Sequence, residues 1–328
     1  MPQLTRSDVH VDRPLTLISD ATLQDMDSYV NDKVFPVIAS IKQSDLYFHY
    51  PREYWFQTAA TKVAPATETP GSGWHVATKK FFCEEYGLHV DIADQIRQSE
   101  DDPIDMNRDA TEFITQHLAL RREKDFVNRF MSPGVWGGLV TTNSAGVLAP
   151  EDFSPDIDWT KANSNPMVDV SRIMSNVRKT TSKRINTMVV ADDANEALKQ
   201  HPLVLDRIKY TETGIVTEQL LARMFGVDKY LVASAVENTA QEGNAGVFDF
   251  LVGGKFLLTY SQPSPGILKP SAGYTFAWTG QYGSSANGMR MKNIRMEAIE
   301  ADRVEGKMAY DQHLVSPDLG VLGVNLLG

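Results

Sequence analysis

HPLVLDRIKYTETGIVTEQLLARMFGVDKYLVASAVENTAQEG, residues 201–243, carries the densest local signals in the chain. Thr217 stands where a helix N-cap belongs, its hydroxyl placed to accept an orphan amide of the first turn. Leu220, Leu221, Met224 and Phe225 then fall at helical spacing, and Gly226 supplies the left-handed residue that closes a helix. KYLVASAVEN (229–238) follows as a strand. The segment is well formed, yet nothing in it can carry a reaction.

An α/β pattern surrounds this segment. A helix near 166–181 precedes the strand INTMVVA (185–191) and the helix DANEALKQ (193–200). His201 and Pro202 end that helix, with His201 read as a C-terminal residue favoured by the dipole and Asp192–Asp193 as its cap. FLVGGKFLLTYSQ (250–262) completes a mixed sheet with helices packed on it, over 165–288. Its GGK invites a phosphate-loop reading. Asp249 stands where the first glycine should be and Phe256 where the magnesium-holding hydroxyl should be, so a twisted strand is the better account.

The N-terminal half is built differently. Residues 1–19 alternate polar and apolar, with Pro2 and Pro14 and no helical period, and read as an extended arm. Asp20, Leu23, Met26 and Val30 predict one short amphipathic helix ending before Pro36. SDLYFHYPREYWFQTAA (44–60) is strongly aromatic and reads as strand, and TKVAPATETPGSG (61–73) as a tip. WHVATKKFFCEEYGLHVDI (74–92) then alternates, placing Trp74, Val76, Phe82, Tyr86, Leu88, Val90 and Ile92 on one face. An unbroken strand of that length spans about 60 Å at about 3.3 Å per residue. The two runs predict a hairpin longer than a compact core covers, and an exposed aromatic ribbon of that size calls for a partner.

From 102 to 131 an apolar stripe (Met106, Ala110, Phe113, Ile114, His117, Leu118, Val127, Phe130, Met131) predicts a helix of about 25 residues and about 38 Å, capped by Asp105 or Asn107. His117 reads as a core residue. Arg121, Arg122, Glu123, Lys124 and Asp125 fall on the outer face, as a solvated surface or as salt bridges to a neighbouring copy. Residues 141–164 are loop-like. MRMKNIRMEAIEADRVEGKMAYDQHLVS (289–316) reads as a long strand or strand pair.

Composition narrows the function classes. The chain has 328 residues, 42% of them hydrophobic, and a formal net charge of −10. That charge argues against sequence-specific nucleic-acid recognition, which needs clustered Lys and Arg to displace counterions. Cys83 is the single cysteine, so no intrachain disulfide or thiolate cage forms, and it reads as a buried spectator. The N-terminus lacks a signal-peptide core, and no apolar run approaches the ~20 residues that span a bilayer. The histidines (His10, His49, His75, His89, His117, His201, His313) are scattered with no metal-ligand spacing, and no nucleophile elbow occurs. Glu84 and Glu85, adjacent on a strand, point to opposite faces. No catalytic constellation, cofactor site or metal site emerges.

The order of parts, and above all 201–243, resembles the major capsid proteins of tailed bacteriophages, the Hong Kong 97-type fold. YSQPSPGILKPSAGYTFAWTG (260–280) and RMEAIEADRVEGKMAYDQHLV (295–315) carry the same likeness. The resemblance implies an α+β fold with an N-terminal arm (1–45) and an extended loop, a long β-hairpin (46–100). It implies a peripheral domain with the spine helix (101–164) and closing strands (289–328), around an axial domain (165–288). It further implies a non-enzymatic protein, made in the host cytoplasm and ending in the virion. There it assembles as hexamers and pentamers into an icosahedral shell around double-stranded DNA that it does not specifically bind, with no membrane contact.

Implied partners are other copies of the chain, a separate scaffolding protein (the chain starts almost directly at the arm), a portal protein and, in some members, a decoration protein. Trp55, Phe56, Trp74, Phe82 and Tyr86 would bury on a neighbour, with Arg121, Arg122 and Glu123 as further contacts. Some members cross-link a loop lysine to a neighbour's asparagine. Lys62, Lys79 and Lys80 lie in the hairpin, but solubilising roles are the simpler reading. The alternatives are an encapsulin-like compartment shell and, third, an α/β enzyme whose site is built from residues distant in sequence.

Overall fold

The computed structural model describes residues 24–99, 105–141, 158–161, 164–209, 216–241, 243–262, 264, 266, 268–282, 288–324 and 326–327. The expected arm at 1–19, the cap at Asp20 and most of the loop-like 141–164 lie outside them. The single N-terminal helix predicted up to Pro36 is instead a 3-10 turn, Met26–Ser28, and a one-turn helix α1, Asn31–Val34. The Ser28 amide and hydroxyl both donate to the Asp25 carbonyl, and such local bonds compete with helix continuation.

β1 (Val37–Ser40) and β2 (Ser44–His49) follow, then a short helix α2 (Arg52–Trp55), β3 (Ala77–Phe82), β4 (Glu84–Ala93) and α3 (Asp94–Arg97). The continuous 74–92 strand therefore breaks at Cys83. β3 pairs antiparallel with β2, from Ser44 opposite Phe82 to His49 opposite Ala77, while β4 leaves to pair with β13 (Ala301–Leu314). The inward phase changes across the break: Phe81 and Cys83 are buried, then Ile92 with Tyr86, Leu88 and Val90 partly so. One residue of slip flips every side chain of a strand. Phe82 is thus the outward neighbour of an inward Phe81, and the ladder of the hairpin is six residues long rather than about 60 Å.

The spine helix α4 runs Met106–Phe130 for 25 residues, capped by Asp105, whose carboxylate accepts the Asn107 and Arg108 amides at 3.1 and 3.2 Å. Met106, Ala110, Ile114, Leu118, Arg122, Phe126 and Phe130 are all buried, one every fourth residue. Such a row advances about 40° per step around a helix of 3.6 residues per turn. It therefore winds from one core to another. The first half packs on Ile92, Val304, Met308 and Tyr310, and the second half joins Val34, Phe35 and Trp136. Phe113 and His117 lie off this winding row. Phe113 is half exposed and His117 exposed, their rings 4.2 Å apart, so the core assignment of His117 is overturned.

Past α4 come β5 (Gly138–Thr141), α5 (Pro166–Thr181), β6 (Thr187–Ala191), α6 (Asp192–Gln200), α7 (Pro202–Ile208), α8 (Glu218–Phe225), β7 (Lys229–Ala233), β8 (Val236–Asn238) and β9 (Phe248–Phe250). The chain continues through β10 (Phe256–Thr259), β11 (Gly273–Trp278), α9 (Thr279–Tyr282), β12 (Met289–Met296) and β13 to β14 (Gly320–Val324). The Thr217 cap and the Gly226 stop are as read, with Gly226 at φ +70.

Two sheets organise the molecule. One has the order β1-β11-β13-β12, with β4 also on β13; the other is β5-β14-β10-β6-β7. β6 and β7 are parallel, which requires the helical crossover that α6, α7 and α8 provide. β11, from within 165–288, joins the first sheet, and β14, from within 289–328, joins the second.

Four local readings change. KYLVASAVEN splits into β7 and β8, and β8 forms a separate two-stranded sheet with β9. The Gly253–Gly254 pair is a turn, not strand: Gly254 sits at φ +55 and its amide donates to the Asp193 carboxylate at 2.8 Å. Asp193 therefore ties this turn to α6 in place of the expected cap, and Ala191 holds the N-cap position. His201 ends α6 as read, but rather than only answering the helix dipole it is buried and also begins α7: its Nδ1 accepts the Leu203 amide at 3.2 Å, and Nε2 lies 3.1 Å from the Ser164 hydroxyl. Burial lowers its pKa, so it is held neutral.

Candidate assembly surface

The β2–β3 hairpin has two unlike faces. On the odd-numbered face Phe81 stacks on Phe276 of β11 with centroids 4.1 Å apart and planes 5° from parallel, and Tyr47 lies beside them at 5.9 Å from Phe276. Cys83 completes this patch, buried, with its thiol pushed up to about 12 by desolvation. That fits an inert core thiol. The hairpin base is therefore anchored in the chain's own sheet. On the even-numbered face Leu46, Phe48 and Phe82 are 61%, 60% and 55% exposed.

Beyond the ladder, every residue from 53 to 76 is exposed. This span includes Tyr54, Trp55, Phe56, Val63, Trp74 and Val76, with the Trp55 and Trp74 rings 6.3 Å apart and Tyr50 another 6.3 Å from Trp55. Apolar side chains left this open forgo burial worth roughly 25 cal/mol per Å². Trp55, Phe56, Trp74 and Phe82 thus share one projecting, water-facing element. Leu46 and Phe48 belong to the same surface and went unassigned in the sequence. Their alternation with Tyr47 was the signal that could have placed them.

Tyr86 does not lie with them. It belongs to β4, stacks on Tyr310 of β13 at 5.0 Å, lies under the Arg121 guanidinium at 5.2 Å and donates to Glu84 at 2.9 Å. It closes one side of a cavity of about 270 Å³ lined also by Asp125, Arg129 and Asp311.

The charged face of α4 is divided too. Arg121 is exposed and pairs with Asp125 at 3.0 Å, one turn on. Arg122 and Glu123 are buried and internal, which corrects their placement on an outer face. The winding apolar row turns them toward α1. Arg122 pairs with Asp32 and lies over the Tyr310 ring, and desolvation lowers its pKa to about 10. Glu123 accepts the amides of Val30 and Asn31 at 3.1 and 3.0 Å and the Asn31 side chain at 2.6 Å. Lys124 reaches Glu237 of β8. Among the described residues no group of three His, Cys, Asp or Glu could hold a metal ion. No helix among them is long and apolar enough to cross a membrane.

A spine helix on a β-sheet, a second sheet with crossover helices, and a hairpin with an exposed aromatic face are the parts of this fold. It is the Hong Kong 97-type fold of tailed-phage capsid proteins, and the resemblance to their major capsid proteins holds in sequence as well as in fold. In sequence the chain is 26% identical over 251 residues to the major capsid protein of Burkholderia phage BcepMu, covering 74% of each. No family model matches the sequence.

In structure the chain is similar to a phage-related protein from Bordetella bronchiseptica (TM-score 0.68, 17% identity, 97% of this chain and 98% of that one). The capsid of cyanophage P-SCSP1u matches with TM-score 0.56 and 11% identity over 94% and 91% of the two chains. The encapsulin of Synechococcus elongatus matches with TM-score 0.53 and 11% identity over 96% and 95%. At these identities the solved structures speak for the fold alone.

Proposed function

We propose that this chain is the major shell subunit of a tailed-phage head. It assembles into hexamers and pentamers of an icosahedral capsid around packaged double-stranded DNA. The observation that carries this reading is the aromatic hairpin, anchored through Phe81 on Phe276 and exposed through Leu46, Phe48, Trp55, Phe56, Trp74 and Phe82. Burying even a few hundred Å² of it on a neighbour contributes several kcal/mol gross. Repeated head-to-tail contacts close into rings, and multivalency makes modest contacts durable.

On this reading residues 1–45 are the arm and 46–100 the extended loop. Residues 101–164 and 289–328 form the peripheral domain and 165–288 the axial domain, with β11 and β14 crossing between them. The protein is structural rather than catalytic and resides in the virion. A net charge of −10 suits a container that holds DNA without gripping it. A scaffolding protein, a portal and a decoration protein are the further partners. An encapsulin-like compartment is the second reading, favoured by the fold shared with the Synechococcus protein. The sequence likeness to a phage major capsid protein favours the first.

Electron microscopy of the expressed chain, with and without the phage's scaffolding protein, tests the proposal. Closed shells or capsomers are expected. Shells formed unaided around an enzyme cargo would favour the compartment, and a discrete small species under every condition would end both.

A further inference from the structure

The β2–β3 hairpin meets its own sheet through one small patch. Phe81, Cys83 and Tyr47 pack against Tyr274, Phe276 and Ala309, and the Phe82 amide donates to the Asp311 carboxylate of β13 at 3.2 Å. Residues 53 to 76 are exposed, so this patch carries the fastening. The break at Cys83, between β3 and β4, supplies a hinge beside it. Across the hairpin base the Cys83 amide donates to the Gln43 carbonyl at 2.9 Å and the Gln43 side chain to the Cys83 carbonyl at 3.1 Å. The two strands therefore move as one body.

Ionisable groups crowd the border of the patch. The His313 ring of β13 stands edge-on to Tyr47 with centroids 5.6 Å apart, and its Nδ1 lies 3.9 Å from the Asp311 carboxylate. Lys79 faces Tyr47 across the hairpin ladder, and His49 follows two residues along on the same face. Arg129 of α4 approaches the other oxygen of Asp311 at 3.7 Å. The neighbouring acids and phenols are engaged. Asp45 turns to Lys42 at 3.5 Å, Glu84 takes the Tyr86 hydroxyl at 2.9 Å, and Tyr274, opposite His313, donates to the Lys269 carbonyl at 3.2 Å. The Tyr47 hydroxyl is pushed up to about 12 by desolvation and by Asp311, so it stays neutral.

Two imidazoles thus share this border with two fixed cations, Lys79 and Arg129, around the Asp311 carboxylate. Desolvation holds both imidazoles below the ordinary histidine range. At His313 the Asp311 charge opposes the shift while Lys79 and Arg129 add to it; at His49 Lys79 adds to it. Lifting the hairpin returns the rings to water and carries Lys79 away from His313, so the lifted state takes up protons more easily. The hold is therefore full above about pH 6.5 and weakens as pH falls below it. Protonated His313 also competes with the Phe82 amide for Asp311.

We infer that the seat of the hairpin on β11 and β13 is an acid-released latch, with His313 and His49 as the groups that open it. The latch is a property of the single chain. Its consequence for assembly, a pH-dependent aim of the aromatic face, rests on the shell reading.

Cys83, the chain's single cysteine, lies buried inside the patch and reports on it. Its rate of modification by a dithiodipyridine, which reacts with thiols in acid, is measured in unassembled full chain. Dividing the rate for urea-unfolded chain at the same pH by this rate gives a protection factor. Protection is expected to fall at least about threefold from pH 7.5 to pH 5. His49→Gln and His313→Gln in one chain are expected to flatten the profile, and Lys79→Gln to shrink the fall. Hydrogen-exchange protection of the Val189 and Val190 amides in β6 is expected to stay at least tenfold above that of Cys83, which marks the opening as local. A flat wild-type profile, a fall that survives in the double variant, or β6 protection no higher than that of Cys83 overturns the inference. Where the double variant does not fold, Lys79→Gln decides: a fall as large as in wild type overturns it. The test uses no assembled particles, so its failure leaves the shell reading as it stands.

Discussion

Glu123, in the middle of the spine helix, holds Asn31 by two atoms at once: its carboxylate takes the Asn31 amide at 3.0 Å and the side-chain amide at 2.6 Å. The Val30 amide completes the arrangement, so α1 is hung from α4 by a buried charge. Glu123→Ala strands those donors and leaves Arg122 without its neighbouring carboxylate. A loss of about 3–5 kcal/mol is expected in urea unfolding of the unassembled chain.

The same carboxylate imposes a pH dependence. Desolvation outweighs the hydrogen bonds and raises its pKa. As pH rises, the unfolded chain therefore releases this proton first. The stability contributed by Glu123 is full below the ordinary glutamate range and declines through the raised value. The difference in unfolding free energy between wild type and Glu123→Gln, followed from acid to neutral pH, is expected to shrink as pH rises.

His201 works in the opposite sense. Burial depresses its pKa, so the unfolded chain takes up the proton first as pH falls below about 6.5, and stability declines from there downward. His201→Asn retains a side chain able to cap α7 and is expected to remove this acid-side loss. His201→Ala is expected to cost about 2–4 kcal/mol at pH 7.5, where the cap, the Ser164 contact and the buried ring are lost together.

Phe81 and Phe82 separate folding from assembly. Phe81→Ala empties the stack on Phe276 and is expected to cost about 3–5 kcal/mol of stability. Phe82→Ala touches an outward side chain and is expected to stay within about 0.5 kcal/mol of wild type. On the proposed reading the second variant nonetheless lowers particle yield in sedimentation. The reverse pattern would contradict the assigned faces.

Ile114 comes so close to Gly306 of β13 that a β-carbon added there would lie 2.3 Å from its Cγ2. Only a glycine lets the spine seat at this point. Gly306→Ala is expected to lose about 1–3 kcal/mol through overpacking, measured by thermal unfolding, and Ile114→Ala in the same chain to recover part of it.

Much of the architecture was legible before the structure. The capped helix at 217–226, the 25-residue spine with its Asp105 cap and the paired closing strands all follow from local chemistry: a side-chain oxygen three residues ahead of an amide, a 3.6-residue period, a glycine at positive φ. These signals act over one or two turns of chain, so they survive without knowledge of the rest.

What the local pattern could not convey is where one register stops and another starts. An alternation across 74–92 looks continuous, and only the competition of β2 and β13 for the two halves breaks it at Cys83 and turns Phe82 outward and Tyr86 inward. Likewise Arg122 and Glu123 read as surface charges because a stripe is judged against a straight helix face. The buried row winds, and α1, some ninety residues away in sequence, supplies the donors that make a buried carboxylate tolerable. Periodicity is a property of neighbours in the chain; burial is decided by whichever distant segment arrives.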